Sequence, residues 1–279
     1  MRLAVNFNTL LAVLLALLFA GAAAAQERAV IPNFFDPQDR FEKPDIADLP
    51  RLRFLTVTDF PPFSYVDADR QLVGYHVELA RAICERLDAE AKCEIQALPF
   101  AELEKALFAE EGEAIMAGLA ITSGSRGRLA FTRPYFRLPA RFAAPGGRAP
   151  TNPLDAGARV AVRKGTAHEA YLRRFVPAAS LNAYGTDVAA RAAVADGEAD
   201  VYFGDALRLS RFFATPEGTG WRFVGGAYGD PSYFGRGLAI AVRPDSPELL
   251  NALNHALVDL NEKRVLEELY LRHFPIGLF

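Results

Sequence analysis

Apolar and polar positions alternate between strand-like and helix-like patterns over most of the chain beyond residue 51. Leu52–Val57 is a short apolar run typical of a strand, and Val77–Leu87 places its apolar residues at the spacing of a helix face. Cys93–Ala97 predicts a second strand, Phe100–Phe108 a second helix and Ala114–Ala117 a third strand. This order predicts a largely parallel sheet with helices on both faces.

The second half of the chain repeats this order. Strands are predicted at Arg159–Val162, Ala199–Phe203 and Gly237–Val242. Helices are predicted at Ala167–Phe175, Val188–Ala195 and Asp205–Phe213, and one or two more at Ser246–Tyr270. Gly-rich segments at Pro145–Gly147 and Tyr233–Gly237 flank the unit and suit crossings between lobes. We therefore predict an α/β fold in which lobe 2 (residues 144–234) is inserted in lobe 1 (residues 51–143 and 235–279). Ligands of open α/β sheets bind beyond the carboxyl ends of the strands, so two facing lobes would form a cleft.

The first fifty residues predict export rather than a folded domain. Arg2 precedes Leu10–Ala20, an apolar run too short to span a bilayer stably, and Ala22–Ala25 supplies the small residues that signal peptidase needs. We expect residues 1–25 to be a cleaved signal peptide and the mature protein to be periplasmic, with an uncleaved membrane anchor as the alternative. Residues 26–50, rich in Pro, Asp and charge, predict an extended leader.

Charge and cysteine content narrow the function classes. The net charge is −3 and no run of Lys or Arg occurs, so we expect no nucleic-acid partner. A monomer is a separate expectation. Export favours a disulfide between Cys84 and Cys93, with two free buried thiols as the alternative. No metal, cofactor or catalytic residue is expected, because no metal-binding or nucleophile motif contains any of the histidines, His76, His168, His255 and His273.

The segment from residue 114 to residue 132 carries the strongest chemical signal. A strand-like run stops at Gly118, and Thr122 then opens a short polar segment that carries Arg126. Backbone N–H groups, a hydroxyl and a guanidinium at the end of a strand suit a carboxylate, because amides and an Arg fork can hold both of its oxygens. Arg126 is the main candidate and Arg128 a competitor; the alternative is that Arg126 is a solvated loop residue.

Six motifs, in order, resemble the bacterial solute-binding proteins of family 3, the periplasmic amino-acid receptors of ABC importers. The resemblance runs from Leu52 to Phe274. The motifs are Asp59–Phe63, Leu72–Ala80, Ala114–Thr122, Phe131–Tyr135, Lys164–Thr166 and Asp200–Asp205. The resemblance implies a two-lobed periplasmic-binding-protein type II fold. It also implies a small amino acid or related zwitterion as ligand and an inner-membrane ABC permease as partner.

The resemblance places part of the ligand site on lobe 1. Phe60 and Phe100 would lie beside the ligand side chain, and Gly118, Ala120 and Thr122 would line the carboxylate corner. Aromatic residues are more often core than pocket, and Phe63 is expected to be structural. Thr122 is equally expected as a plain helix N-cap, and one hydroxyl can serve both purposes.

The rest of the implied site belongs to lobe 2. Gly165 and Thr166 begin a helix whose N-terminus favours an anion, and Asp205 would accept hydrogen bonds from the ligand ammonium group. The alternatives are a simple turn and cap at Gly165 and Thr166, and a capping role for Asp205. The zwitterion would then bridge Arg126 and Asp205, and this bridge would stabilise the closed form only.

Several positions depart from the family pattern. Ser125 stands where the family usually has its Arg, and Gly118, Ala120 and Ala167 stand where relatives often carry hydroxyls. Relatives that bind basic side chains often have an Asp a few residues before the aromatic turn, where this chain has Val57–Thr58. We therefore expect an uncharged or apolar ligand side chain rather than Lys or Arg.

These departures leave two other functions open. One is an accessory or sensor protein, such as a partner of a periplasmic quinoprotein dehydrogenase, for which the leader could serve in docking. The other is an enzyme similar to cyclohexadienyl dehydratases, which needs a general acid aimed at the leaving hydroxyl. The sequence offers no assured candidate for that acid.

Overall fold

The computed structural model describes residues 35, 41, 46, 49–148, 150, 152–154, 157–177 and 180–279. The predicted signal peptide and almost all of the predicted leader therefore lie outside the described residues. Within the described ranges, the chain forms two five-stranded sheets and one three-stranded sheet, with helices packed on them. None of the helices in this part of the chain has the length and hydrophobicity that crossing a bilayer requires.

The predicted strands and helices occur in the predicted order, but the structure adds elements that the periodicity did not indicate, among them β8 (Ala140–Pro145), β10 (Ser180–Tyr184) and β12 (Trp221–Tyr228). The strands are β1 Leu52–Thr56, β2 Asp59–Phe60, β3 Ser64–Val66, β4 Leu72–Val73, β5 Cys93–Ala97, β6 Ala114–Ile115, β7 Ala130–Phe131, β8 Ala140–Pro145, β9 Arg159–Arg163, β10 Ser180–Tyr184, β11 Val201–Asp205, β12 Trp221–Tyr228 and β13 Ala241–Val242. The α-helices are α1 Tyr75–Arg86, α2 Leu103–Phe108, α3 Ser123–Arg126, α4 Ala167–Phe175, α5 Asp187–Ala195, α6 Ala206–Phe213, α7 Pro231–Phe234, α8 Pro247–Glu262 and α9 Val265–His273.

The first sheet belongs to lobe 1 and has the strand order β5-β1-β6-β13-β7. β1 runs parallel to β5 and β6, whereas β13 is antiparallel to β6 and β7. The apolar face of α1 packs with α8 and α9 in one core, and α2 packs on Leu55 and Ile115 in another. Cys84 of α1 is bonded to Cys93 of β5, which confirms the disulfide.

The second sheet belongs to lobe 2 and has the order β10-β9-β11-β8-β12. Three strands are parallel, and β8 is antiparallel to both β11 and β12. The predicted boundary after residue 143 falls inside β8, so residues 140–143 lie in the second sheet rather than in the first. The reason is that Ala140–Ala144 is buried throughout and pairs with a strand on each side. The sequence gives little sign of this strand, because its Ala-rich sequence has no β-branched residue.

Two crossing segments connect the lobes and lie side by side. Phe136 and Leu238 form an antiparallel bridge between them, and the Tyr135 N–H donates to the Leu238 carbonyl at 2.9 Å. Just beyond the first crossing, the buried guanidinium of Arg141 donates to the carbonyls of Leu278 (3.1 Å) and Gly225 (2.8 Å). Arg141 therefore ties the segment after α9 to β12 at the base of the two lobes.

Candidate functional site

The predicted ligand residues lie where strands of each sheet end and short turns begin. In lobe 1, β6 leads through Gly118 and Ala120 to α3. In lobe 2, the turn after β9 leads into α4, and β11 ends at Asp205, directly before α6. The carboxyl ends of parallel strands are the usual place for a ligand in an open α/β sheet.

Gly118 and Phe60 are in direct contact. Gly118 has a φ of +73°, and a Cβ at this position would lie 2.8 Å from Cε1 of the Phe60 ring. Phe60 also stacks on Phe63, with ring centroids 4.8 Å apart. The lack of a side chain at Gly118 thus lets an aromatic ring cover the strand end, in a backbone conformation that favours glycine.

A buried histidine supports the aromatic wall that Phe60 and Phe63 form. His76 packs against Phe60 and Phe63, and its Nε2 lies 2.7 Å from the Tyr135 hydroxyl. Burial lowers the pKa of His76 to about 3, an effect that the nearby Met116 carbonyl partly opposes. The signal in the sequence was its place in the Leu72–Ala80 motif, next to an aromatic residue.

Thr122 is the N-cap of α3 and forms a reciprocal pair of hydrogen bonds with Ser125. Thr122 Oγ1 accepts from the Ser125 N–H at 3.1 Å, and Ser125 Oγ accepts from the Thr122 N–H at 2.9 Å. Ser125 Oγ also donates to the Ala120 carbonyl at 2.8 Å. The hydroxyl at the usual Arg position is therefore used inside its own turn. Arg126 follows, about 100° further round the helix axis, and is exposed.

The two candidate arginines have different surroundings. Arg128 forms a two-pronged ion pair with Glu104, Nε to Oε1 at 2.5 Å and Nη2 to Oε2 at 3.2 Å. This pairing lowers the pKa of Glu104. Among the residues that the structure describes, the Arg126 guanidinium has no such carboxylate partner. Arg126 is thus the guanidinium of this turn that remains available to a ligand carboxylate.

On lobe 2, a carboxylate of the protein already occupies part of the predicted anion site. The Gly165 N–H donates to Glu169 Oε2 at 2.6 Å, and Thr166 Oγ1 accepts from the Glu169 N–H at 3.3 Å. The Gly165 N–H lowers the pKa of Glu169, and Arg173 adds to the effect. In this structure Gly165 and Thr166 therefore order the start of α4, and the Gly165 N–H is not left for a ligand.

Asp205 is half-buried and is the N-cap of α6, where its Oδ1 accepts from the Arg208 N–H at 2.8 Å. His168 of α4 lies close by. Burial lowers the pKa of His168, and the carboxylates of Asp205 and Asp187 act in the opposite direction. His168 belongs to no metal-binding or nucleophile motif, but it lies two residues after the Lys164–Thr166 motif.

Phe100 is separate from the aromatic wall. It begins a single 3-10 turn, Phe100–Glu102, and its side chain is 54% exposed. No aromatic ring in the described part of the chain packs on it. Phe60 thus contacts Gly118, and the Ala120 carbonyl is hydrogen-bonded to the turn that Thr122 begins. Phe100 is not packed against Phe60.

Comparison with known proteins gives the class. The chain belongs to the bacterial extracellular solute-binding proteins of family 3, whose profile matches residues 52–276. An Escherichia coli K12 protein, provisionally named ABC transporter arginine-binding protein 2, is 32% identical to 80% of this chain over 90% of its own length. The lysine/arginine/ornithine-binding periplasmic protein of the same bacterium is 30% identical to 84% of this chain over 91% of its own length.

Solved structures agree with the family. A Salmonella typhimurium periplasmic binding protein of high arginine specificity has a TM-score of 0.50 at 27% identity, and covers 80% of this chain and 99% of its own. An ancestral cyclohexadienyl dehydratase has a TM-score of 0.68 at 24% identity, covering 83% and 95%. The second likeness shows the fold alone. The predicted α/β fold of two lobes is confirmed.

Proposed function

We propose that the protein captures a small amino acid or related zwitterion between its lobes and delivers it to an ABC permease of the inner membrane. The observation that carries the proposal is the pair of opposite charges at two strand ends. Arg126 on lobe 1 has no carboxylate partner among the described residues, and Asp205 on lobe 2 is half-buried. A ligand carboxylate suits the first and an ammonium group the second.

Closure follows from this division of charges. Each hydrogen bond to a charged group contributes about 1.5–3 kcal/mol, and a ligand held by both lobes gains both contributions only when the lobes approach each other. The crossing segments and Arg141 connect the lobes at one end, so a rigid-body rotation is the motion that the connection allows. The permease would then recognise the closed form.

The side chain of the ligand is a separate question. Phe60 packs on Gly118 beyond the end of β6, so the side chain at this strand end is an aromatic ring rather than a carboxylate. This supports an uncharged or apolar ligand side chain. The relatives' names favour a cationic amino acid instead, and the titration below distinguishes the two classes.

The test is calorimetric titration of the mature chain with arginine, lysine, histidine and uncharged amino acids. We expect Arg126→Gln to weaken binding at least about tenfold, since a charged hydrogen bond is worth more than about 1.4 kcal/mol. Arg128→Gln is the matched control, because it removes the same charge from the same turn but leaves Arg126. Equal losses in both variants, or no heat from any amino acid with folded wild-type protein, would refute the proposal.

The remaining parts of the proposal concern the setting. The protein would be a periplasmic monomer that catalyses no reaction, in keeping with relatives that are named as binding proteins. Incubation with prephenate tests this directly: formation of phenylpyruvate would establish dehydratase activity instead. An accessory role remains the prediction for a protein that binds neither amino acids nor prephenate.

A further inference from the structure

A concave site on lobe 2 carries four arginines and one carboxylate. It has a volume of about 560 Å³ and is formed by the end of β9, the first turns of α5, and α6. Its charged lining residues are Arg163, Asp187, Arg191, Arg208 and Arg211. All of them belong to lobe 2, and neither Arg126 nor Asp205 lines the cavity.

Asp187 cannot satisfy the guanidiniums that face it. Its Oδ2 lies 3.5 Å from both Arg163 and Arg208, while its Oδ1 accepts from the Tyr202 hydroxyl at 2.8 Å. Charge-assisted N–H···O bonds are usually about 2.7–2.9 Å long, so both Arg contacts are long. Two guanidiniums thus converge on a single oxygen that holds neither of them closely.

The other two arginines increase the imbalance. The Arg191 guanidinium lies over the Phe212 ring at 4.4 Å from the ring centroid, which holds its charge in place without neutralising it. Arg211 is on the same helix as Phe212 and is exposed. Like charges this close repel one another, and an anion with several oxygens would relieve the repulsion.

We propose that this cavity is a second binding site, which takes a small oxyanion of at least two negative charges, such as a polycarboxylate or a phosphate compound. The volume lies within the range of about 300–1,000 Å³ that is usual for small-molecule sites. Arg163 and Arg208, from different elements, supply several N–H donors that can turn from Asp187 to the ligand. An acidic peptide would use the same charges, but the concave shape within one lobe favours a small ligand.

The cavity is near Asp205, since Asp187 and Asp205 both act on the pKa of His168, but neither Asp205 nor Arg126 belongs to its lining. Because one lobe provides the whole lining, the anion needs no closure of the lobes. Arg208 donates to Asp205 through its backbone N–H only, and a substitution of its side chain leaves that donor unchanged. The two sites can therefore be tested independently.

The test is titration of the mature chain with citrate and, separately, with inorganic pyrophosphate at low ionic strength. We expect binding of at least one of them, weakening as salt is added. Arg208→Gln and Arg163→Gln should each weaken it about tenfold, whereas Arg174→Gln, which removes an exposed charge on α4 outside the cavity, should change it less than about twofold. Arg126→Gln should leave anion binding unchanged while amino-acid binding weakens at least about tenfold.

Three results would overturn the proposal. One is a lack of binding of either anion by folded wild-type protein, including the case where only a poly-glutamate peptide binds. Another is an equal loss in the Arg174→Gln and Arg208→Gln variants, which would indicate a general charge effect. The third is loss of anion binding in Arg126→Gln, which would place the anion in the cleft between the lobes. Circular dichroism of each variant checks its fold.

Discussion

Acidification should destabilise the protein through His76, well above the pH at which carboxylates titrate. His76 is fully buried between the aromatic wall and Tyr135, and its pKa falls from 6.5 to about 3. The unfolded chain therefore binds a proton at this histidine at a pH where the native state does not. By linkage, stability is present above the unfolded pKa of 6.5 and is lost as the pH falls below it.

The size of the effect follows from the two pKa values. One proton bound only by the unfolded state changes the free energy of unfolding by about 1.4 kcal/mol per pH unit. Integrated from about pH 7.5 to about pH 5, the loss is about 2 kcal/mol for His76 alone. Burial also lowers the pKa of His168, which adds a loss of the same sign. Tyr75 and Tyr135 have raised pKa values and stay protonated throughout this range.

The assay is urea unfolding of the mature chain at several pH values in that range. His76→Gln keeps a polar group for the Tyr135 hydroxyl and removes the titrating ring, so we expect its stability to fall by about 2 kcal/mol less than that of the wild type. His168→Gln is the comparison variant and separates the second histidine. If His76→Gln does not fold, NMR titration of the wild-type imidazole replaces it.

Two results would refute this reasoning. One is the same pH dependence in His76→Gln and the wild type. The other is an NMR pKa for His76 near its unperturbed value, which would mean that the ring is hydrated or paired with a carboxylate in the native state.

Three further predictions concern single features. Gly118→Ala should lower the free energy of unfolding in urea by at least about 1 kcal/mol and weaken amino-acid binding, because Gly118 has a positive φ and touches the Phe60 ring. The control Gly147→Ala should cost less, because the space around Gly147 is open. Replacing Cys84 and Cys93 together by Ser should cost about 2.5 kcal/mol through the loop that the bond closes, and an unchanged unfolding midpoint would contradict this. Glu169→Gln should lower the free energy of unfolding by about 1 kcal/mol at neutral pH. The variant should also lose less stability than the wild type as the pH falls below 4.5, because the lowered pKa of Glu169 stabilises the fold only above that range. Urea unfolding of both proteins at two pH values checks this prediction.

Helical periodicity and apolar runs predicted the helices and strands that bury one apolar face. α4 and β5 have the predicted bounds, and α1 differs by a few residues. The patterns missed β8, β10 and β12, in which β-branched residues are few or absent. β12 contains Gly225 and Gly226 at an irregularity between Val224 and Ala227, and such glycines are read as a loop in a sequence.

The candidate site was predictable only in part. The motif order located the strand ends, whereas the sequence leaves the competition between Arg126 and Arg128 open. Its outcome depends on Glu104, which lies on a different helix and whose pairing with Arg128 has no sequence signal. The hydrogen bond from the Gly165 N–H to Glu169 joins residues four apart at the start of a helix. A Glu in the first turn after a Thr N-cap is a known sequence signal, so this bond could have been predicted.

The position of β13 sets an order on folding. This strand lies between β6 and β7, near the middle of the first sheet, yet it consists of residues 241 and 242. During synthesis, lobe 1 can complete its sheet only after the whole of lobe 2 has emerged, because one of its inner strands comes last. Contacts of such high sequence separation form slowly. The last residues of the chain therefore decide when its first lobe is complete.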